Sequence, residues 1–538
     1  MRLRVSFWFV VAAAAALLLV GAASVPLLDP DEARFARTSV EMLHSGDLVV
    51  PTFNGEPRLV KPPLLHWIQS FLFSVFGVQE WAARLAAALA TLGSILLVAQ
   101  IAHRRFGEEA ALWGAAVLAT MPLVFVLGHM GTLDALLAVH VLAVITLDLT
   151  ATERTDTYRA LVMGGLLGLA FLVKGPVGVV LPLLVILAGR TAAGRNLLPS
   201  VGAFSQGLAA WCLIVLPWGL AFLRRVGTGA ALGTVRSEAM ERFFAGTAHV
   251  EPAWYYGKVV LVAFLPWLAP LLVALVRVWR MRKDPAARTA IYAAAGLLAG
   301  LLFFSLSKGK LPSYILPLAP LVAILVIWEL GREIEAPRER TLGPTLLAAT
   351  VAATALLLGL IGGLRLEGTW RGVALAGAAI YGVGTVTSLY GAITRRPRWV
   401  YGSAALSMAV LLFVITFQGF PAVGRARSTA RLVEEVPELS SGRPVVTVEI
   451  RVPSLVFYLN RRVEVIEMRD LEARIGREDA ATYVLADVDL SELPPEARER
   501  LREVGRRAKY RVFVPGSVAP ESAPQAGPKL LDAPPGEK

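Results

Sequence analysis

Apolar runs long enough to cross a lipid bilayer recur along most of this chain. They extend from the N-terminus to about Thr416, and a spanning helix needs roughly 20 apolar residues. Of the 538 residues, 56% are hydrophobic and 17% are charged. A soluble chain of this length would carry about a quarter charged residues. We therefore predict an all-α polytopic membrane protein.

About thirteen of these runs are predicted to be transmembrane helices. The first covers residues 5–25 and follows Arg2 and Arg4. It exceeds the apolar core of a typical secretory signal, so we predict an uncleaved helix. The thirteen helices are expected to be centred near Ala15, Ala90, Val117, Ala143, Leu167, Leu183, Cys212, Leu268, Leu298, Ala323, Ala355, Ala379 and Leu411.

The basic residues indicate orientation. The net charge is +12, but it is spread among the turns between apolar runs, which is typical of membrane topology signals and not of a nucleic-acid interface. Alternate turns are rich in arginine, as around Arg104, Arg190 and Arg395. This pattern predicts a cytoplasmic N-terminus and no nucleic-acid partner. Cys212 is the only cysteine, so an internal disulfide and a thiolate metal cluster are excluded.

The chain is predicted to have a membrane domain over 1–417, an α/β domain over 418–514 and a disordered tail over 515–538. Two outer loops, 26–80 and 224–254, are too long to be turns and carry predicted interfacial helices at 64–76 and 230–244. An odd number of spans places the α/β domain outside. Its elements are expected to be strands at 445–450, 462–466, 482–487 and 510–514 and a helix at 496–504.

Polar residues from distant parts of the chain are predicted to share the outer membrane face. Ionisable groups at a hydrocarbon boundary are costly, so they are seldom there by accident. Lysine and arginine suit a phosphate, and a carboxylate can orient or deprotonate an acceptor or hold a metal. No glycine-rich phosphate loop is present, so a lipid-linked donor is favoured. The set comprises Asp31, Glu32, Arg34, Lys61, Asp134, Lys174, His249, Glu251, Lys308, Lys310 and Tyr314.

Each of these residues also has a structural alternative. Asp31 fits the N-cap of a helix over 32–45, and Lys61 fits a lysine that extends to the membrane interface. Asp134 fits a helix cap, and Lys174 precedes Gly-Pro in a possible turn. His249 fits an ordinary structural or solvated histidine. These alternatives stay open from the sequence alone.

Five short motifs in order along the chain resemble the GT-C class of membrane glycosyltransferases. They are Asp-Glu-Ala-Arg (31–34), Lys-Pro-Pro-Leu (61–64), Leu-Asp (133–134), Lys-Gly-Pro (174–176) and Lys-Leu-Pro-Ser-Tyr-Ile-Leu-Pro (310–317). The nearest branch is the bacterial aminoarabinose transferase of lipid A, similar to the dolichyl-phosphate-mannose protein mannosyltransferases. The resemblance implies an inner-membrane enzyme that moves a sugar, with inversion, from undecaprenyl phosphate to lipid A or another periplasmic acceptor.

The resemblance also implies residue roles. Asp31 would be the catalytic carboxylate, supported by Glu32 and Arg34, and Lys61 would bind the carrier phosphate. The remaining implied residues are Tyr314 and Lys310 for substrate, Asp134 and Lys174 for the sugar or acceptor cavity, and His249 for a metal.

Two departures from the family pattern leave the acceptor and a divalent metal open. Val60 stands where these transferases tend to have a metal-binding glutamate, and the basic residue expected shortly after His249 is absent. Other readings are a protein O-mannosyltransferase-like enzyme, a ligase that uses a diphosphate lipid, and a lipid or sugar transporter without chemistry.

Overall fold

A computed structural model describes residues 2–150, 157–197, 199–236, 249–339, 341–475, 481–486 and 495–516. The chain divides into two compact units. The membrane unit comprises Met1–Ala22, Leu59–Leu65 and Arg84–Gly419. The sheet unit comprises Ala23–Arg58, His66–Ala83 and Phe420–Lys538.

Helices dominate the described chain, as the apolar runs predict. In chain order they are α1 Arg2–Ala23, α2 Asp31–Ser45, α3 Leu64–Phe76, α4 Glu80–Phe106, α5 Glu108–Ala119, α6 Pro122–Gly128, α7 Leu133–Leu149, α8 Thr157–Lys174, α9 Val177–Ala192, α10 Val201–Val235, α11 Tyr255–Ala263, α12 Leu268–Arg280, α13 Arg288–Leu306, α14 Ala319–Glu335, α15 Leu342–Leu364, α16 Gly368–Ile393, α17 Pro397–Val414, α18 Phe420–Arg427, α19 Ala430–Glu435, α20 Pro453–Leu459, α21 Leu471–Ile475 and α22 Pro495–Arg500.

The multi-pass character of the chain is confirmed, but the count of thirteen spans is not. Within the described residues, nine helices are long and apolar enough to cross a membrane, or eleven if two bent helix pairs each form one span. The bends are 68° between α5 and α6 and 116° between α11 and α12. Proline begins α6 and interrupts the apolar run before α12, which explains why continuous apolar sequence became broken helices.

Glycine permits a close contact between two helices of the membrane unit. Helices α8 and α10 approach each other so closely that a methyl group at Gly164 would overlap the carbonyl oxygen of Gly207. Small residues allow such approach between membrane helices because dispersion contacts replace the hydrophobic effect there. Packing against α10 therefore requires glycine at position 164.

Gly164→Ala is expected to destabilise the protein by about 1–3 kcal/mol, because backbone must move to admit the methyl group. Gly219→Ala is the matched control, since a methyl group there meets no described atom within 4 Å and alanine favours a helix. Thermal unfolding of the detergent-solubilised protein measures both. Equal unfolding midpoints for the two variants would contradict the close-packing argument.

The sheet unit confirms the predicted α/β region near the C-terminus. Its five-stranded sheet has the order β4-β3-β5-β7-β6, parallel across β4, β3 and β5 and antiparallel across the rest. A separate hairpin pairs β1 with β2. The strands are β1 Thr52–Phe53, β2 Glu56–Pro57, β3 Val445–Val448, β4 Glu464–Ile466, β5 Thr482–Ala486, β6 Leu501–Arg507 and β7 Tyr510–Pro515.

One predicted helix of this region is shorter than expected. The helix expected over 496–504 ends at Arg500, and the chain continues as strand β6. Pairing with β7 from Leu501 to Arg507, interrupted by one irregularity between Glu503 and Gly505, overrides the local helical preference of the charged sequence. The predicted tail beyond residue 516 and most of the predicted helix over 230–244 lie outside the described residues.

The sheet unit joins segments that are more than 400 residues apart. The Asp29 carboxylate accepts hydrogen bonds from the backbone N–H of Ser454, at 2.7 Å, and from its hydroxyl. Tyr458 accepts from the Leu27 N–H at 2.8 Å. Thus 23–58 and 66–83 pack with the C-terminal residues, which differs from the predicted division that put the loop over 26–80 in the membrane domain.

A buried histidine in the sheet unit makes stability depend on pH. Burial, assisted by the charge of Arg58, lowers the pKa of His66 from 6.5 to about 3. The folded state therefore keeps His66 neutral, and its contribution to stability is full above pH 6.5 and is lost as the pH falls from 6.5 towards 3. At about pH 5 we expect a loss of about 2 kcal/mol relative to about pH 7.5.

The measurement compares the pH dependence of unfolding in the wild type and in His66→Gln, which retains a polar group beside the Ser39 hydroxyl, 2.9 Å from the His66 Nδ1. The variant should lose the destabilisation between about pH 6.5 and about pH 5. Identical pH profiles for the two proteins would contradict this account.

Candidate active site

Three predicted site residues meet in the membrane unit. The Lys174 ammonium lies 2.6 Å from a carboxylate oxygen of Asp134, and both side chains are largely buried, with 12% and 14% of their surfaces exposed. The same ammonium lies 4.6 Å from the centre of the Tyr314 ring, which suits a cation–π contact. An acid, a cation and a phenol predicted from three separate motifs are therefore neighbours.

Local backbone geometry presents these side chains. Asp134 lies in the first turn of α7, whereas the N-cap is Thr132 and makes no side-chain cap bond. Asp134 is therefore engaged by Lys174, and the capping alternative is not what the structure shows. Lys174 is the last residue of α8, and Gly175 follows with a φ of 63°, a conformation that glycine adopts readily.

Tyr314 belongs to a 3-10 turn over Pro312–Leu318 that leads into α14. Its ring lies 6.0 Å from the ring of Phe304, and the Tyr256 ring lies 6.3 Å from the same phenylalanine. The Tyr314 ring beside the Lys174 ammonium is thus part of a cluster of three aromatic rings. A cation held in such a position can hydrogen-bond a phosphate or sugar oxygen.

Lys310 links the loop before α14 to the segment that contains His249 and Glu251. Its side chain is only 3% exposed, and its ammonium donates to the carbonyl oxygens of Glu251, at 2.8 Å, and Ser307. The backbone N–H of Lys310 donates to the carbonyl of His249 at 2.9 Å. These contacts stabilise the loop that carries Tyr314, and the predicted substrate contact of Lys310 stays a prediction.

The acidic string after α1 separates into different positions within the sheet unit. Glu32 is 1% exposed and accepts a hydrogen bond from the Leu28 N–H at 2.9 Å, which is a helix-start contact. Asp31 has 54% of its side chain exposed and lies 3.5 Å from Arg34. Pro30, not Asp31, is the N-cap of α2. Of the predicted acidic pair, Asp31 is the one whose carboxylate is exposed.

Asp29, two residues before Asp31, accepts two hydrogen bonds from Ser454. Burial raises the pKa of Asp29 above its usual value, although the two hydrogen bonds from Ser454 oppose that rise. This residue stabilises the sheet unit rather than supplying an open carboxylate.

Lys61 lies in the segment Leu59–Leu65 of the membrane unit, immediately before α3. Lys61 and Val60 are both partly buried. Pro62 and Pro63 disfavour helical backbone at the residue before each of them, and α3 begins directly afterwards at Leu64.

The described residues around His249 do not complete the predicted metal site. His249 is exposed, and its backbone carbonyl is used by Lys310. Within the described residues no group of three or more histidine, cysteine, aspartate or glutamate side chains could hold a metal ion. Protein metal sites of this type usually need at least three protein ligands. We therefore derive no step through a metal.

A second polar cluster, which sequence reasoning missed, lies at the other end of α7. Asp148 is fully buried and accepts hydrogen bonds from Arg190, at 2.8 Å, and from the Tyr292 hydroxyl, also at 2.8 Å. Arg195 lies 3.7 Å from the same carboxylate. The sequence does contain a sign of this cluster: an aspartate ends an apolar run, and arginines that also serve as orientation charges occur in a nearby turn. The cluster ties α7, α9 and α13 together.

A family model and a solved structure are similar to this chain. Residues 60–223 match the family model for dolichyl-phosphate-mannose-protein mannosyltransferase. A crystal structure of ArnT from Cupriavidus metallidurans bound to undecaprenyl phosphate superposes with a TM-score of 0.78 at 24% identity, covering 96% of this chain and 99% of that one. The chain has the GT-C fold.

Two arabinosyl transferases are similar to this chain in sequence. An undecaprenyl phosphate-alpha-4-amino-4-deoxy-L-arabinose arabinosyl transferase of Aeromonas salmonicida is 34% identical over 309 residues, which cover 56% of this chain and 55% of the relative. An Edwardsiella ictaluri protein of the same name is 28% identical over 507 residues, or 90% of each chain. The first of these matches therefore spans only about half the length of its relative.

Proposed function

We propose that the protein is an inverting glycosyltransferase that moves a sugar from undecaprenyl phosphate to lipid A or another periplasmic acceptor. The observation that carries the proposal is the buried Asp134–Lys174 pair beside Tyr314. It belongs to a chain whose relatives bear an arabinosyl transferase name. The enzyme would act in the bacterial inner membrane, with a cytoplasmic N-terminus and a periplasmic C-terminal domain.

In the proposed reaction, an acceptor oxygen forms a bond to the anomeric carbon while the bond from that carbon to the carrier phosphate oxygen breaks. The electron pair of the broken bond stays on the phosphate, whose added charge Lys61 would stabilise. Asp134 and Lys174 would line the cavity for sugar or acceptor. Asp31 and Arg34 would act at the acceptor and carrier, respectively, and Tyr314 would donate a hydrogen bond to a phosphate oxygen.

The acceptor determines what Asp31 does. A lipid A phosphate is already ionised, so Asp31 would only position it. A hydroxyl acceptor needs a general base, and Asp31 would then take its proton. The match of residues 60–223 to the mannosyltransferase model favours a protein hydroxyl as the second candidate acceptor.

Transfer is tested with the purified protein in liposomes, lipid-linked sugar as donor, and lipid A or a hydroxyl-bearing peptide as acceptor. Mass spectrometry of product and released carrier should show one sugar gained and a carrier monophosphate. A released diphosphate would indicate the ligase reading, and donor moved between leaflets without bond cleavage would indicate a transporter. Either result would overturn the proposal.

Asp31→Asn distinguishes the two acceptor classes. With a hydroxyl acceptor we expect a loss of about 100-fold in kcat, because general-base catalysis contributes about that much or more. With a phosphate acceptor the effect should lie mainly in KM. Glu56→Gln, an exposed acid of the same unit, is the control. Unchanged kcat and KM in Asp31→Asn would contradict any catalytic or positioning role.

A further inference from the structure

Helices α16 and α17 enclose a groove that none of the candidate site residues lines. Its volume is about 560 Å³, within the range of small-molecule sites. Both helices are long and apolar enough to span the membrane. The groove is lined by small and aliphatic side chains, including Val383, Gly384, Thr387, Gly402, Ser403 and Leu406.

Small residues explain how the groove forms. The two helices touch closely at Gly384, where a methyl group would overlap the Ser407 hydroxyl. The hydroxyls of Ser388 and Ser403 hydrogen-bond to each other nearby. Because the residues where α16 and α17 touch are small, they leave space beside the contact, and this space is the groove. Its rim residues Val383 and Leu406 are 71% and 65% exposed, which is expected of side chains that contact lipid.

An arginine-rich turn lies between α16 and α17, next to the groove residues Arg398 and Trp399. Arg398 and Trp399 belong to its lining, and the preceding Arg395 and Arg396 are exposed. Arg398 binds Glu109 through two hydrogen bonds of 2.6 and 2.8 Å, so its charge is largely compensated. The positive end of the α17 dipole lies at the same turn, since α17 begins at Pro397.

We propose that this groove binds an anionic phospholipid, with one acyl chain along α16 and α17 and its phosphate at the turn of Arg395 and Arg396. The apolar lining suits a hydrocarbon chain, and the two arginines with the helix N-terminus suit a phosphate. Clusters of basic residues beside a membrane helix attract anionic lipids by about 1 kcal/mol per residue, or about fivefold in affinity each.

Native mass spectrometry of the full-length, delipidated protein tests the proposal, with phosphatidylglycerol as the anionic probe and phosphatidylethanolamine as the near-neutral one. We expect one tightly bound phosphatidylglycerol, and about 30-fold weaker binding in Arg395→Gln/Arg396→Gln. Thr387→Phe, which fills the groove from a partly exposed position, should also weaken binding. Arg282→Gln/Lys283→Gln, which removes two exposed charges from another turn, is the matched control and should bind as the wild type does.

Thermal unfolding verifies that each variant is folded. The proposal is overturned if the two lipids bind equally, if the arginine variant retains wild-type affinity, or if Thr387→Phe has no effect. It is also overturned if inorganic phosphate alone displaces the lipid, since the acyl chain would then contribute nothing. A second copy of the chain as occupant would appear as a dimer that Thr387→Phe dissociates without lipid release, and that result would also overturn the proposal. Sugar transfer is not a readout here, so failure of the proposed function would leave this test intact.

Discussion

Lys61→Ala is expected to reduce sugar transfer by about 100- to 1000-fold. In the proposed reaction the leaving phosphate gains charge in the transition state, and removal of one donor aimed at such charge typically costs this much. Lys61 belongs to the segment Leu59–Leu65 of the membrane unit and lies shortly before α3. The loss should appear mainly in kcat, because the polyprenyl chain still supplies ground-state binding.

The control for this prediction is Lys283→Ala, which removes an exposed lysine from the turn between α12 and α13. Lys61→Arg should recover part of the activity, because it keeps the charge and changes only its geometry. Initial rates at saturating lipid-linked donor measure kcat for each variant and so test this prediction. Wild-type turnover in Lys61→Ala would exclude Lys61 as the phosphate ligand.

Asp134→Asn and Lys174→Met are each expected to reduce transfer by about 100-fold or more and to lower stability. Either change leaves the other charge buried without its partner 2.6 Å away. Breaking a buried ion pair from one side costs about 3–5 kcal/mol, and this pair, at 12% and 14% exposure, is close to that class. The Lys174 ammonium would also be free to leave the face of Tyr314.

A double-mutant cycle separates the two contributions. The double variant Asp134→Asn/Lys174→Met should be more stable than the sum of the single losses predicts, because no unpaired charge remains. Its transfer activity should stay low if the pair acts on substrate. The exposed pair Arg507–Glu435, of 2.7 Å, is the control, with an expected coupling of at most about 1 kcal/mol. Additive losses at Asp134 and Lys174 would contradict a functional pair.

The acidic string after α1 illustrates how far sequence reasoning extends. The motif identified this segment as unusual, and the helix expected over 32–45 forms as Asp31–Ser45. Which carboxylate stays open could not be predicted, since successive helix positions differ by about 100° and the packing partner decides which is covered. Ser454 and Tyr458, from the far end of the chain, supply much of that packing.

The charged segment over 496–504 illustrates the opposite case. Its composition favours a helix, and a helix does begin at Pro495. From Leu501 onwards, however, the chain pairs with β7 and forms a strand. Lys310 is a similar case, because its motif predicted a substrate contact but not that its ammonium would lie against the Glu251 and Ser307 carbonyls. Local pattern does not reveal which backbone groups will come within reach.

The sequence alone determined that this is a multi-pass membrane protein with a small α/β region. Long apolar runs leave few alternatives, because a backbone in lipid must satisfy its hydrogen bonds within each helix. Only the tertiary structure decided that Asp134 pairs with Lys174 beside Tyr314, and that 23–58 pack with 420–538. Such pairings depend on the packing of helices and strands distant in sequence. No local periodicity specifies that packing.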